Sequence, residues 1–304
     1  MTEMIRSVII PAAGQGTRLL PLTKAVPKEM LPVYDRPILQ FALDEAVAAG
    51  ARRIVIVINA QKACIRDYVS SGLGQVVQFR KAGKHDLATA LSLVGVPSDI
   101  DVTFVVQDRP LGLGHAVLCA APVLEPGPVG VILPDDVILG RPCLEEMAAG
   151  YTRGHMVAAM DVPPSETSKY GIFAVEGPMQ GKVVRVRGMV EKPAQGTAPS
   201  TLAAVGRYIL SPGIMATLAS TAPGAGGEIQ LTDAIAKEAA QLPLTAFRFT
   251  GARYDCGSIE GLFAAGLAQS QRVASQLGDF TRVHAAAERN LSAKLVCSYA
   301  TGQD

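Results

Sequence analysis

Residue types that often identify a protein's chemistry are scarce in this sequence. Among 304 residues there are no tryptophans, five cysteines and four histidines. The cysteines form no Cys-x-x-Cys pair and no cysteine–histidine group with zinc spacing, and an odd, scattered set is typical of a reduced, cytoplasmic protein. The histidines lie far apart in the sequence, which argues against a histidine-centred mechanism.

Strong net charge and long apolar segments are also missing. The formal net charge is +1, which gives no electrostatic reason to expect binding to nucleic acid or to an anionic membrane. No apolar run reaches the ~20 residues that a membrane span needs, and no signal peptide is visible at the N-terminus. Hydrophobic residues nevertheless make up 49% of the chain, enough for one large α/β domain or two smaller ones.

Short β-branched segments alternate with longer helical patterns in the first half of the chain. The strand candidates are Ser7–Ile10, Arg53–Ile58, Val102–Val106, Gly130–Leu133 and Met156–Val162, and the helix candidates between them are Ile38–Ala49, Gly112–Ala121 and Cys143–Arg153. This alternation predicts an α/β fold of Rossmann-like type, with a mixed, mostly parallel sheet flanked by helices.

The pattern changes after about residue 165. A β-rich, antiparallel extension is predicted first, and two helices follow it; the segments are Tyr170–Glu176, Val183–Val190, Leu202–Leu210, Glu228–Ala240 and Ser258–Ser275. The simplest interpretation is a single domain over residues 1–278, followed by a C-terminal arm or tail over residues 279–304.

Positions 11–33 read PAAGQGTRLLPLTKAVPKEMLPV, a loop rich in glycine, proline and cations. The dinucleotide fingerprint G-x-G-x-x-G fails here, because its third glycine position is Leu19 and Pro21 interrupts any helix that follows. The triphosphate loop G-x-x-x-x-G-K-S/T fails as well. What remains is a glycine turn followed by Arg18, Lys24 and Lys28, which favours a bound polyanion. The alternative is a solvated surface loop with incidental charge.

Polar residues also follow the later strands, at the strand ends where ligands bind in open α/β sheets. Gln107 offers a donor and an acceptor side by side, enough to read the edge of a nucleobase, and Gly112 and Gly114 let a flat group approach the backbone. A plain strand-to-helix turn explains this stretch equally well. Glu191 and Lys192 suit a sugar hydroxyl and a phosphate, but such neighbours are also common on surfaces.

Two adjacent acids, Asp135 and Asp136, end a strand that we expect to be buried, where they are costly unless a cation neutralises them. Mg²⁺ is the natural candidate, because it combines carboxylate and phosphate oxygens. The alternative is a helix N-cap, and both interpretations hold if Asp135 binds the metal and Asp136 caps. Asp255 lies before a glycine and a helix, and is the candidate for a second metal carboxylate.

Eight motifs occur in order along the chain: GQGTRLLPLTKAVPKEMLPV, QDRPLGLGHA, LPDD, YGIF, VEKP, VGRYIL, GEIQLTDAI and YDCGS. Together they resemble the prokaryotic UTP–glucose-1-phosphate uridylyltransferases, a branch of the sugar-nucleotidyltransferase superfamily, over roughly residues 5–275. The resemblance implies an enzyme that makes UDP-glucose and pyrophosphate from UTP and α-D-glucose 1-phosphate, with Mg²⁺ as its cofactor. It also implies a homo-oligomer, either a dimer or a tetramer.

The resemblance further implies roles for individual residues. Those acting at the phosphates are Arg18, Lys28 and Lys192. The nucleotide would be surrounded by Ala12, Ala13, Gly14, Gly16, Gln107 and Gly112, the sugar by Gly171, Glu191, Val205 and Gly206, and the metal by Asp135 and Asp255.

Two positions depart from the family pattern. Gln15 stands where the family usually has leucine, and Ile259 replaces a lysine expected near the phosphates. Residues 61–101 also match the family poorly. Two alternatives therefore stay open: a non-catalytic regulator that binds UDP-sugars, and a nucleotidyltransferase with a different base or sugar specificity.

Overall fold

The computed structural model of the chain describes residues 4–70, 72–177 and 179–276. The arm or tail predicted at 279–304, and the end of the domain predicted at 1–278, therefore lie outside the described residues. Within these ranges no helix is both long enough and apolar enough to cross a membrane.

A nine-stranded mixed sheet forms the centre of the fold. The described residues form thirteen strands, nine of them in this sheet: Ser7–Pro11 (β1), Pro32–Val33 (β2), Arg36–Pro37 (β3), Arg53–Ile58 (β4), Asp101–Val106 (β5), Val129–Ile132 (β6), Asp136–Leu139 (β7), His155–Asp161 (β8), Gly171–Val175 (β9), Val183–Glu191 (β10), Leu202–Leu210 (β11), Leu244–Arg248 (β12) and Ala252–Asp255 (β13). Strands β2 and β3 pair in one separate two-stranded sheet, and β7 and β13 pair in another. The order in the sheet is β5-β4-β1-β6-β11-β8-β12-β10-β9. The first four of these strands pair in parallel, and the later pairings are antiparallel except for β8 with β12. The mixed sheet predicted from the sequence is confirmed.

Helices cover both faces of this sheet. They are Ile38–Ala48 (α1), Ala63–Ser70 (α2), Leu73–Lys81 (α3), His85–Ser92 (α4), Leu113–Cys119 (α5), Cys143–Gly150 (α6), Ile214–Ala219 (α7), Leu231–Glu238 (α8) and residues 259–276 (α9). Because side chains alternate along a strand, Val8 and Ile10 pack in one core with α1 and α6, whereas Ile9 packs in the other with α5 and α8.

The elements predicted from the sequence differ from the structure in several places. Helices α2 to α4 and α7 had no predicted counterpart, and neither did strands β2, β3, β7, β12 and β13. The helix predicted at Glu228–Ala240 begins only at Leu231. Asp136 does not cap a helix, because it begins strand β7, which pairs antiparallel with β13. The reason is that residues 133–136 form a tight turn between two strands, with the Asp136 N–H donating to Leu133 O over 3.2 Å.

A buried ion pair fixes the segment that leads into that turn. Arg207 on β11 donates from Nη2 to Glu45 Oε2 on α1 over 2.9 Å, and from Nη1 to Leu133 O over 3.0 Å. The Leu144 N–H donates to Glu45 Oε1 over 2.8 Å. Since an uncompensated buried charge is strongly destabilising, neither member of the pair can be removed alone without disturbing the end of β6.

Strand pairing decides which loops meet. Strands β1 and β6 are neighbours, so the loops that follow them lie side by side at one edge of the sheet. The two-stranded sheet of β7 and β13 then places Asp255 opposite Asp136, directly after Asp135. The fold therefore brings the glycine-rich loop and three aspartates from distant parts of the sequence to one place.

Candidate active site

The glycine-rich loop after β1 is closed by its own side chains. Gly16 has φ 67°, and a Cβ at this position would lie 3.2 Å from Thr23 Cγ2. The Thr23 hydroxyl donates to Gly16 O over 2.8 Å. The left-handed turn and the close approach both require glycine here, and the fixed turn aims the following cations at the end of β6.

Two predicted cations and two predicted metal ligands converge at that point. Lys28 Nζ donates to Asp135 Oδ2 over 2.5 Å. Arg18 Nη1 lies 3.2 Å from Asp255 Oδ2, and Arg18 Nη2 lies 3.8 Å from Asp135 Oδ2. Asp135 and Asp255, which are distant in the sequence, therefore meet at one guanidinium. The structure brings these four side chains into one cluster.

Backbone geometry holds the two carboxylates in place. The Cys256 N–H donates to Asp135 O over 2.8 Å, and the Gly257 N–H donates to Asp255 Oδ1 over 3.0 Å. A Cβ on Gly257 would lie 2.2 Å from Arg18 Nη2, so only glycine leaves room for the guanidinium. The YDCGS motif thus supplies the Asp255 carboxylate, the Cys256 N–H that bonds to Asp135 O, and a glycine that leaves space for the Arg18 guanidinium.

Burial and pairing act in opposite directions on the charges of this cluster. Burial by itself would raise the pKa of Asp135, but the Lys28 ammonium outweighs it and the pKa is lowered. Burial would likewise lower the pKa of Lys28, and the carboxylates of Asp135 and Glu29 raise it above its ordinary value instead. Both groups are consequently charged at neutral pH, as a site for a metal and a polyphosphate requires.

A cleft of about 430 Å³ opens beside the cluster. Six of the predicted residues line it, namely Ala13, Gly14, Lys28, Gln107, Gly112 and Asp135, together with Gln15 and Glu228. Ala12 and Gly16 do not line the cleft. The Ala12 side chain is buried in the core, and Gly16 packs against Thr23 inside the turn. Gln15, the departure from the family pattern, therefore faces the space where a nucleotide would bind.

Sequence reasoning missed a buried pair that supports the floor of this cleft. Lys62 Nζ donates to Ala12 O over 2.6 Å and to Glu29 Oε2 over 2.7 Å, and Asn59 Nδ2 donates to Ala13 O over 2.8 Å. Burial lowers the pKa of Lys62 and raises that of Glu29. Lys62 had no predicted role, and it lies within residues 61–101, which match the family poorly.

A second, smaller cavity of about 170 Å³ adjoins the first and shares Leu113 and Leu133 with it. Three of the predicted sugar residues line it, Gly171, Glu191 and Gly206, and so does Asp136. The side chain of Val205 does not, because it packs in the core, which leaves only its backbone near the cavity.

Lys192, the predicted phosphate ligand of the incoming sugar, lies at the rim and not in the wall of the second cavity. Its backbone has φ 43°, its side chain is 67% exposed, and Nζ lies 3.7 Å from Glu191 Oε1. Lys169, which had no predicted role, does line this cavity. A left-handed conformation is uncommon for a residue other than glycine, and it turns Lys192 out of the line of strand β10.

Asp136 belongs to the second cavity and not to a helix cap. It is held there by Arg253, whose Nε and Nη2 both donate to Asp136 Oδ1, and by the Gly206 N–H, which donates to Oδ2 over 2.9 Å. The Arg253 guanidinium also lies 5.6 Å from the centre of the Tyr170 ring. This network joins three strands, and nothing in the local sequence around Asp136 indicated it.

The same residues bear on whether the site could hold a metal ion. In the described part of the chain there is no group of three or more histidine, cysteine and acidic side chains that could hold a metal ion. Mg²⁺ usually binds to one or two protein carboxylates when substrate phosphates complete its coordination. Asp135 and Asp255 are sufficient for a site of this kind. The residues present fit a metal that is held jointly by protein and nucleotide.

Comparison with known proteins gives consistent results. The model of the nucleotidyl transferase family matches residues 7–272. The chain is 43% identical over 270 residues to the UTP–glucose-1-phosphate uridylyltransferase of Pseudomonas aeruginosa, covering 86% of this chain and 95% of that protein. It is 41% identical over 271 residues to the Bacillus subtilis enzyme of the same name, covering 87% and 91%.

Solved structures agree with the sequence comparisons. A UDP-glucose pyrophosphorylase complexed with UDP-glucose matches with a TM-score of 0.79 and 37% identity, covering 88% of this chain and 100% of that one. A UTP-bound enzyme from Acinetobacter baumannii also has a TM-score of 0.79, with 38% identity and coverage of 88% and 93%. These relatives match the described domain almost from end to end.

Proposed function

This chain belongs to the nucleotidyl transferase family and, within it, to the UTP–glucose-1-phosphate uridylyltransferases, and on that premise we propose how its two cavities carry out the reaction. UTP binds in the larger cleft and glucose 1-phosphate in the smaller, and they react to UDP-glucose and pyrophosphate. The observation that carries this assignment is the cluster of Arg18, Lys28, Asp135 and Asp255, of which Lys28 and Asp135 line the larger cleft.

The chemistry needs little more than alignment and charge neutralisation. A phosphate oxygen of glucose 1-phosphate attacks the α-phosphorus of UTP in line, a new P–O bond forms, and the bond to the leaving pyrophosphate breaks. The attacking oxygen is already anionic at neutral pH, so no general base is required. Lys28 and Arg18 neutralise the triphosphate and hold it in position, which lowers the barrier because charge develops where cations are already placed.

Mg²⁺ is the proposed cofactor, and Asp135 and Asp255 would hold it. When bound, it would neutralise negative charge on the phosphates and orient the attacking and leaving oxygens. Without the nucleotide, the two carboxylates are balanced by Arg18 and Lys28. A triphosphate offers these cations new partners, so that the carboxylates become free for the metal as the substrate binds.

One experiment separates this function from its alternatives. Purified protein is supplied with Mg²⁺ and with each pairing of UTP or dTTP with glucose or galactose 1-phosphate, and pyrophosphate release is measured. Rapid release with UTP and glucose 1-phosphate alone is the expected result. Release with a different pairing would assign another base or sugar, and no release together with tight UDP-glucose binding would assign a non-catalytic regulator, for which Gln15 and Ile259 are the motivation.

Replacing Lys192 tests its proposed contact with the sugar phosphate. Lys192→Ala is expected to raise the KM for glucose 1-phosphate and to lower kcat/KM by roughly 10- to 150-fold, because one charge-assisted hydrogen bond is lost. Steady-state kinetics with each substrate varied in turn give the answer. Lys237→Ala, an exposed lysine on α8, is the control. An unchanged KM in Lys192→Ala beside a raised KM in Lys169→Ala would move the role to Lys169.

The proposed homo-oligomer needs an apolar surface, and α9 offers one. Ile259, Phe263 and Leu267 follow one another at intervals of four residues and are 48%, 75% and 53% exposed. In a two-fold symmetric dimer, the same stripe on two identical copies can pack together and be buried. Phe263→Glu is therefore expected to lower the mass found by light scattering to that of a monomer. Gln271→Glu adds the same charge at another exposed position of α9 and should change nothing.

The cytoplasm is the proposed compartment. All the cysteines that the structure describes, Cys64, Cys119, Cys143 and Cys256, are free thiols. This agrees with the prediction from their spacing, since paired cysteines are typical of oxidising compartments.

A further inference from the structure

Gln107 and His115 form a hydrogen-bonded pair at the wall of the larger cleft. Gln107 directly follows strand β5 and is 7% exposed, and His115 lies in the first turn of helix α5. Gln107 Nε2 lies 3.2 Å from Gly112 O and 2.9 Å from His115 Nδ1. A carbonyl oxygen can only accept, so the atom of Gln107 that faces Gly112 O must be the amide nitrogen.

The orientation of the amide determines the tautomer of the histidine. Because Nε2 of Gln107 is a donor and not an acceptor, His115 Nδ1 must accept, and the neutral ring must carry its proton on Nε2. Cys119 Sγ is the other neighbour of this ring, 3.9 Å from its Nε2 and 3.8 Å from its Nδ1. Among the described residues no donor is hydrogen-bonded to Gln107 Oε1. Oε1 is thus the atom of this amide that is left for a ligand.

We propose that His115 is a positioning residue for base selection, which locks the Gln107 amide so that an acceptor oxygen faces the bound base. This inference rests on the proposed function, since it takes the larger cleft as the nucleotide site. An acceptor matches the N3–H donor of uracil. Cytosine has a lone pair at N3, which would face Oε1 without a proton between them. The lock therefore favours UTP over CTP.

Two contacts oppose the reversed amide. Turning it over would place Oε1 against Gly112 O, with two acceptors facing each other, and would oblige the His115 ring to move its proton from Nε2 to Nδ1. Without His115, only the longer bond to Gly112 O holds the amide, so the reversed orientation becomes easier to reach. Losing one hydrogen bond between neutral groups would lower the preference for the present amide orientation over the reversed one by roughly 3- to 10-fold.

The test compares base selectivity in matched variants. kcat/KM is measured with UTP, CTP and dTTP at saturating glucose 1-phosphate for the wild type, His115→Leu, His115→Asn and Cys119→Ala. We expect His115→Leu to lower the UTP/CTP ratio roughly 3- to 10-fold. The UTP/dTTP ratio should stay constant, because thymine presents the same N3–H edge. His115→Asn, with an amide oxygen in place of Nδ1, should restore the UTP/CTP ratio, and Cys119→Ala should leave it unchanged.

A double-mutant cycle addresses the pairing itself. Gln107→Ala should lose the same UTP/CTP selectivity as His115→Leu, and the double variant should lose no more, because the two residues act as a unit. A UTP/CTP ratio that is unchanged in His115→Leu, with all three nucleotides weakened equally, would overturn the inference and leave His115 a structural residue.

A second measurement does not depend on activity. Nitrogen-15 NMR of histidine-labelled wild-type protein distinguishes the two neutral tautomers, and the His115→Asn spectrum identifies the signal. A proton on Nε2 is the expected result, and a proton on Nδ1 would overturn the inference. If instead wild-type protein releases no pyrophosphate from UTP while this tautomer is observed, the proposed function fails and the locked acceptor stands.

Discussion

Replacing either Asp135 or Asp255 by alanine is expected to reduce the rate of UDP-glucose formation by about 10²- to 10⁴-fold, since a metal clamp contributes several kcal/mol to such a reaction. The reason is geometric: Asp135 and Asp255 lie 3.8 Å and 3.2 Å from the Arg18 guanidinium, so the two carboxylates are close enough together to hold the one Mg²⁺ ion proposed here. Initial rates over a range of Mg²⁺ concentrations measure the effect. Each single variant should also need more Mg²⁺ for half-maximal rate.

The decisive comparison is the double variant. If both aspartates hold one ion, Asp135→Ala/Asp255→Ala should be little slower than either single variant, because groups that act as a unit are not additive. Losses that multiply would contradict the shared ion. Asp161→Ala, which removes an exposed carboxylate paired with Arg248, is the control for a lost acid elsewhere. Asp135→Ala also leaves the largely buried Lys28 without its partner, which could lower activity without any effect on the metal. Asp135→Asn controls for this, because its side-chain amide oxygen can still accept a hydrogen bond from Lys28.

Gly206→Ala is expected to displace part of the wall of the smaller cavity. A Cβ at this position would lie 2.6 Å from Leu133 Cβ and 2.6 Å from Asp136 Oδ2, closer than real contacts allow. Leu133 is held by the turn after β6 and Asp136 by Arg253, so neither can move freely. Overpacking of about 1–3 kcal/mol predicts a rise in the KM for glucose 1-phosphate of roughly 5- to 150-fold, with a much smaller change for UTP.

The chain contains a matched control for this glycine. Gly188 lies on the neighbouring part of the sheet, in β10, and a Cβ there would have no atom within 4 Å. Gly188→Ala should therefore leave both KM values and the melting temperature unchanged. Equal effects of the two substitutions, or a loss of UTP binding in Gly206→Ala that matches the loss for the sugar phosphate, would contradict the assignment of the smaller cavity to the sugar.

Much of the fold was predictable, because its strands carry strong local signals. β1 and β4 are short β-branched runs buried on both sides, and the structure has them almost where the sequence predicts them. Helices α3 and α4 escaped prediction because few of their side chains are buried, chiefly Val76 and Ala88, so they lack an apolar stripe. Strand β12 is only five residues long, and its stability comes from pairing with β8 and β10, which no local pattern records.

The same distinction applies to the site. Motif spelling placed Arg18, Lys28, Asp135 and Asp255 in one cluster, and they do converge. Contacts between residues that are far apart in the sequence were not predictable, because the fold alone decides which residues become neighbours. With 28 lysines and arginines in the chain, nothing in the sequence around Asp136 identified Arg253 as its partner. A local pattern of two aspartates before an apolar run fits a helix cap as readily as a strand, and tertiary pairing decided between them.

The position of β12 and β13 in the sheets has a consequence for how the protein is made. β12 inserts between β8 and β10, and β13 completes the two-stranded sheet with β7. A ribosome-bound chain that has emerged only to residue 240 therefore has a gap inside its main sheet and one carboxylate of the pair. Such a nascent chain cannot complete its sheet or the proposed metal site, and long-range pairing of this kind is slow. We therefore expect a product that ends before residue 244 to have no activity.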